Sequence, residues 1–76
     1  MPKTTRFSRL SLGRTIRRER EKLGLSQEDF AEEANVHRTY ISSIELGKVN
    51  IGIEVANALA GALGMKLSEL VRKAES

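Results

Sequence analysis

Apolar residues along this chain of 76 residues recur every three or four positions, in five separate segments. Residues three and four apart lie on the same face of an α-helix, so this period indicates amphipathic helices. No segment alternates apolar and polar residues in the way that a half-buried strand does. The pattern therefore predicts an all-α fold, a bundle of five helices.

Residue types near the start of the chain predict the ends of the first helix. Ser8 and Ser11 are both suitable N-caps, because a serine hydroxyl accepts a hydrogen bond from the free N–H groups of the first turn. Leu12, Ile16 and Leu23 form one stripe at helical spacing, and we expect this stripe to face the core. The glycine that follows Leu23 is expected to end the helix.

The remaining helix ends are marked in the same way. Ser26 is expected to cap the second helix, and Asn35 can take the left-handed conformation that a sharp turn after it requires. Gly47 and Gly64 are expected to end the third and fourth helices, and Ser68 to cap a short fifth one. These helices are expected to span about residues 26–34, 37–46, 53–63 and 68–73.

The length of the chain allows one domain with one small core. Residues 1–9 are interpreted as a basic tail that is disordered at its start, and residues 10–76 as the domain. Without cysteine and with a single histidine, the chain is expected to bind no metal and no cofactor. No apolar run reaches the roughly 20 residues of a membrane span, so a cytoplasmic protein with no membrane contact is expected.

Charge is divided unevenly along the chain. Residues 1–25 contain eight basic and two acidic residues, whereas residues 26–37 contain four acidic residues and no lysine or arginine. This division suits a protein that turns a basic side towards a polyanion, although a basic helix is also compatible with a simple solvated face.

The second and third segments together predict a helix-turn-helix, whose second helix (about residues 37–46) is of the kind that enters the major groove of DNA. Arg38 lies at its N-terminal end, and arginine is the commonest bidentate partner of guanine. Thr39, Ser42 and Ser43 supply hydroxyl groups on the same outward side. We interpret these four residues as candidates for base contacts, and a solvent-facing cap is the alternative for Arg38.

Phosphate contacts are expected around this unit. Ser26 and Gln27 begin the second helix, where backbone N–H groups and the glutamine amide can donate to a phosphate. Lys48 and Asn50 lie in the loop after the third helix. The Tyr40 hydroxyl is a further candidate, with a purely structural role as its alternative.

Glu45 is unusual as an acidic residue near the end of a helix that approaches DNA. A partner inside the protein explains it best, and Arg20 is the candidate. Such a pair would tie the first helix to the third and would fix orientation more than it adds stability.

The last two helices carry more apolar residues than one small core requires. Met65, Leu67, Leu70 and Val71 are therefore candidates for a homodimer interface. The alternative is that Leu67 and Leu70 only close the core.

Three groups of residues resemble the Cro/C1-type (XRE-like) helix-turn-helix family. They are Ile16-Arg17-x-x-Arg20, Gly24-Leu25-Ser26-Gln27-x-x-Phe30-Ala31 and Tyr40-Ile41-Ser42-x-Ile44-Glu45-x-Gly47. The resemblance covers about residues 12–70, and the segment from Arg38 to Ser42 is most similar to controller proteins of restriction–modification systems. Two positions depart from the family pattern, since Ile51 and Gly52 follow Asn50 where Pro and then Ser or Thr are common, and Leu46 replaces a polar or basic residue.

The resemblance implies a phosphate contact at Gln27, base reading at Arg38, Thr39, Ser42 and Ser43, and a homodimer formed by the last two helices. The leading hypothesis is a sequence-specific regulator of transcription that binds double-stranded DNA as a homodimer on a partly palindromic operator. An antitoxin-like module that binds another protein is the alternative. An enzyme is disfavoured, because no nucleophile–base pair or paired carboxylates are evident.

Overall fold

The computed structural model describes residues 7–76, and the predicted tail falls mostly outside this range. Five helices make up the described part of the chain, which confirms the all-α prediction. They are α1 (Arg9–Lys22), α2 (Gln27–Ala34), α3 (Arg38–Glu45), α4 (Ile53–Ala62) and α5 (Leu67–Glu75). Helix α1 begins at Arg9, so the last residue assigned to the tail is helical. None of these helices is long and apolar enough to cross a membrane.

Local hydrogen bonds decide where the helices begin. Ser8 is the cap of α1, since its Oγ accepts from the Ser11 N–H at 3.1 Å and the Ser11 Oγ accepts from the Ser8 N–H at 2.9 Å. The Ser26 Oγ accepts from the Asp29 N–H at 3.0 Å and caps α2 as expected. Both caps satisfy N–H groups that have no partner within the helix.

The prediction for the start of α5 was wrong. Lys66, not Ser68, is the N-cap, and the helix runs on to Glu75. The carboxylate of Glu69 reaches back and accepts from the Lys66 N–H at 2.8 Å. A carboxylate in the first turn therefore satisfies an N–H group at the start of α5, where the sequence analysis expected a serine hydroxyl to do so.

Each helix contributes one large, fully buried side chain to the core. These side chains are Ile16, Phe30, Ile41, Leu59 and Leu70. Leu70 is 0% exposed, so it cannot contact a second copy, and its assignment to a dimer interface was wrong. Leu23 was also placed wrongly, because it lies past the last turn of α1 and is 54% exposed.

Helices α1 and α3 approach closely at a glycine. A Cβ atom at Gly13 would overlap the carbonyl oxygen of Ile44 and lie 2.9 Å from that of Glu45. Helix α5 also packs against α1, and there the Lys73 Nζ lies 3.8 Å from the buried Glu19 carboxylate. These two contacts fix α1 as the support against which α3 is held.

Candidate nucleic-acid interface

A tight turn joins α2 to α3. Asn35 takes the left-handed conformation (φ 58°, ψ 46°), and the Val36 N–H donates to the Ala31 carbonyl at 3.0 Å. Asparagine tolerates this conformation better than most residues. Phe30 of α2 and Ile41 of α3 are both fully buried, so the two helices form one rigid helix-turn-helix unit.

Helix α3 separates a buried side from an outward side. Ile41, Ile44 and Glu45 are buried, whereas Arg38 and Thr39 are exposed. Ser42 and Ser43 are half-buried on the outward side. Within residues 7–76, the four candidate reading side chains make no hydrogen bond or ion pair. The structure thus places them together on one face with donors and acceptors unused.

Arg38 occupies the first position of α3, at its N-terminal end. The cap residue before it, His37, makes no side-chain cap hydrogen bond. The first N–H groups of α3 are therefore not capped by that side chain, and the exposed Arg38 stands at the same end of the helix, which suits acceptors such as base edges or phosphate oxygens.

A buried ion pair holds α3 against α1. The Arg20 Nε donates to the Glu45 Oε2 at 2.7 Å and its Nη2 to the Glu45 Oε1 at 3.0 Å, which is the bidentate geometry expected of strong pairs. The Arg20 Nη1 also donates to the Leu25 carbonyl at 2.7 Å. One guanidinium therefore joins α1, the loop before α2 and the end of α3.

The Arg20 guanidinium of this pair stays protonated throughout the neutral pH range. The side-chain hydrogen bond to Glu45 raises the pKa of Arg20 above its ordinary value, against the opposing effect of burial. A group whose pKa is raised on folding contributes stability fully below its unfolded pKa and loses it only as pH rises through the folded one. For an arginine that window lies at strongly alkaline pH.

Gln27 belongs to the same network, which the sequence did not indicate. Its Nε2 donates to the Glu45 Oε1 at 3.1 Å, and the side chain is half-buried. An amide nitrogen carries two N–H groups, so one of them remains for a phosphate. Gln27 therefore lies between the expected phosphate contact and the ion pair that fixes α3.

The other expected phosphate contacts are distributed around this unit. Ser26 is exposed, but its hydroxyl already accepts the cap hydrogen bond of α2. Lys48 and Asn50 are exposed in the loop after α3. Tyr40 is half-buried and packs against the core, so its ring has a structural role whatever its hydroxyl contacts.

The two helices that pack against α3 expose side chains of opposite charge. Helix α1 exposes basic residues (Arg14, Arg17, Arg18 and Lys22). Helix α2 exposes acidic ones (Glu28, Asp29, Glu32 and Glu33). Among residues 7–76, no three histidine, aspartate or glutamate side chains are placed to hold a metal ion.

Comparisons with known proteins agree with this geometry. The sequence profile of the Helix-turn-helix family (HTH_3) matches residues 16–70. The control protein C.MunI of a Mycoplasma species is 47% identical over 51 residues, which are 67% of this chain and 69% of that protein.

Solved structures show the same likeness. The restriction-modification controller protein C.AhdI from Aeromonas hydrophila superposes with a TM-score of 0.79 and 32% identity, over 82% of this chain and 94% of that one. The controller protein C.Esp1396I was solved as a tetramer in complex with its natural 35 base-pair operator. It superposes with a TM-score of 0.77 and 26% identity, over 90% of this chain and 95% of that one. The chain belongs to the XRE-type helix-turn-helix family and is a DNA-binding regulator of transcription.

Proposed function

We propose that the chain is a regulator of the controller type, which binds a partly palindromic operator as a homodimer with one α3 helix in each half-site. The observation that carries this proposal is the outward face of α3. Arg38 and Thr39 are exposed, with Ser42 and Ser43 beside them, while the opposite face is fixed by a buried ion pair. A reading helix needs free donors and acceptors on a backbone that does not move.

The chemistry of the four side chains assigns them different contacts. The Arg38 guanidinium suits the O6 and N7 atoms of guanine in the major groove, where two parallel hydrogen bonds distinguish guanine from other bases. The hydroxyls of Ser42 and Ser43 can donate or accept, and the methyl group of Thr39 suits the methyl group of thymine.

Phosphate contacts would hold α3 in the groove. We assign them to Gln27 and the N–H groups at the start of α2 on one side, and to Lys48 and Asn50 on the other. The Tyr40 hydroxyl and Ser26 complete this set. The residues before α1 are proposed as a basic tail that adds affinity without sequence preference.

The homodimer is supported by the symmetry that DNA-bound regulators share with their operators. C.Esp1396I binds its operator as a tetramer, and an even number of copies matches an operator with twofold symmetry. Because its target is DNA, we also propose that the chain acts in the cytoplasm. The family is regulatory, and we propose no enzymatic activity for this member.

Selection of bound duplexes from a random pool tests the proposal. The expected result is a twofold-symmetric consensus whose half-sites are about 10 base pairs apart, one turn of DNA. An asymmetric single half-site would contradict the homodimer but keep the reading helix. No enriched sequence at all would contradict sequence-specific binding.

A further inference from the structure

A polar cleft lies between the outer side of α1 and the end of α5. It encloses about 330 Å³, and its lining includes Arg14, Thr15 and Arg18 of α1 and Lys73 of α5. A volume of this size is within the range of small-molecule sites, which is about 300–1,000 Å³. None of the described residues that line it is acidic or aromatic. The chemistry of this α1–α5 cleft therefore suits a small anion.

Two arginines line the cleft without partners. Arg14 and Arg18 are four residues apart on α1, so their side chains are neighbours on the helix surface, and like charges at this spacing repel each other. Both are exposed, and within residues 7–76 neither forms a hydrogen bond or an ion pair. The adjacent Arg17, in contrast, is paired with Glu21 at 3.2 Å. An anion bound by both guanidinium groups would remove this repulsion.

Lys73 adds a third positive charge from α5. Its Nζ lies 3.8 Å from the Glu19 carboxylate, which the Lys22 Nζ also contacts at 3.3 Å. Even when the charge of Glu19 is set entirely against Lys73, the charges of the two arginines remain uncompensated. The cleft therefore has positive charge to spare for a ligand.

The most buried polar group that lines the cleft is a hydroxyl without a partner. Thr15 is 3% exposed, and its hydroxyl makes no hydrogen bond within residues 7–76. No fully enclosed side-chain oxygen or nitrogen of these residues lacks a hydrogen bond, so the Thr15 oxygen opens on the cleft that this residue lines. A recessed polar group of this kind costs stability unless a group from outside the chain bonds to it.

The cleft faces away from the side that reads DNA. Gly13 is the point at which α1 contacts α3. Successive residues of an α-helix turn by about 100°, so Arg14 and Arg18 point about 100° and about 140° away from that contact. A duplex held against the outward face of α3 therefore leaves the cleft open.

We propose that the α1–α5 cleft binds the terminal phosphoryl group of a small phosphorylated molecule, with the two arginines and Lys73 around its oxygens and the Thr15 hydroxyl donating to one of them. Such a group carries about −1.5 to −2 charges at pH 7 and has three acceptor oxygens, which match the two uncompensated arginines and the recessed hydroxyl. A phosphate within a nucleic-acid backbone is linked on both sides and presents fewer free oxygens. Without an aromatic side chain in the described lining, the cleft recognises the phosphoryl group and not an attached base.

Isothermal titration calorimetry of pyrophosphate into the full chain tests this site, in a phosphate-free buffer at neutral pH and without DNA. Pyrophosphate is the probe because both of its ends are terminal phosphoryl groups. We expect a dissociation constant below about 1 mM, which Arg18→Gln should raise at least about tenfold. Arg17→Gln is the matched control, since it removes the same charge from the next residue of α1, outside the cleft, and should change the constant by less than about twofold.

Thr15→Val tests the hydroxyl separately from the charges. It keeps the branched shape of the side chain and should raise the dissociation constant about fivefold. Urea unfolding should show no loss of stability, because the hydroxyl has no partner within residues 7–76. A threonine with a purely structural role would give the opposite pair of results.

Four results would overturn the proposal: no binding up to about 10 mM pyrophosphate, equal weakening by Arg17→Gln and Arg18→Gln, an unchanged constant for Thr15→Val, or displacement of pyrophosphate by a saturating duplex of the selected operator. The last result would mean that the cleft holds a DNA backbone. We expect instead that the DNA-bound protein binds pyrophosphate within about threefold of the free protein. The titrations without DNA do not involve α3, so they succeed or fail independently of the proposed function.

Discussion

Removing the carboxylate of Glu45 is expected to destabilise the protein far more than removing an exposed one. In Glu45→Ala, the Arg20 guanidinium loses two of its three hydrogen bonds while its side chain stays about 90% buried, and Gln27 loses its acceptor. Breaking a buried pair on one side typically costs about 3–5 kcal/mol. Arg20 keeps its bond to the Leu25 carbonyl, so we expect about 3 kcal/mol.

That loss is large for a chain of this size. A domain of 76 residues has a free energy of unfolding of about 4–11 kcal/mol. Urea unfolding followed by circular dichroism measures the change directly. Glu21→Ala is the control, since it breaks the exposed Arg17–Glu21 pair (3.2 Å, side chains 59% and 55% exposed) and should cost no more than about 0.5 kcal/mol.

Replacing both partners separates stability from orientation. The double variant Arg20→Met, Glu45→Leu leaves no unpaired charge buried at this site, so its stability should return to within about 1 kcal/mol of the wild type. Its affinity for the selected operator should nevertheless fall about tenfold, because α3 is no longer held by a directional contact. Equal stabilities for Glu45→Ala and Glu21→Ala would refute this reasoning.

Two further predictions concern the fold that supports α3. Gly13→Ala should lower the free energy of unfolding by about 3 kcal/mol, because its Cβ would meet backbone carbonyls of α3 that cannot move aside. Gly61→Ala, at an exposed position of α4 where the Cβ meets nothing within 4 Å, should instead raise the free energy of unfolding by about 0.5–1 kcal/mol in the same urea titration. Loss of stability in both variants would show that helix geometry, not the α1–α3 contact, is responsible. Ser26→Ala should cost about 1 kcal/mol by removing the α2 cap, and an unchanged midpoint would contradict that role.

Features that depend on neighbouring residues could be predicted from the sequence. Gly24, Asn35, Gly47 and Gly64 were each expected to end a helix, and all four have positive φ. A left-handed residue is required wherever a helix stops in this way, and few residue types tolerate it. The Arg20–Glu45 pair was also foreseeable, because an acid near the C-terminus of a helix needs a partner.

Features that depend on packing between distant segments could not be predicted in this way. Helical spacing put Leu23 in the core stripe, but α1 ends before the core reaches it. Leu70 and Leu67 look equivalent in sequence, yet only the packing of α5 on α1 and α4 decides that Leu70 is fully buried. The link from Gln27 to Glu45 spans 18 residues and has no local signal.

The outward face of α3 is tested most directly by titrating Arg38→Ala against a labelled duplex of the selected consensus and against a scrambled duplex. We expect a loss of about 1–3 kcal/mol of binding free energy on the consensus and little change on the scrambled duplex. Arg18→Ala removes the same charge from a cleft beside α5 and should affect both duplexes alike. Equal losses on the two duplexes for Arg38→Ala would contradict base reading by α3.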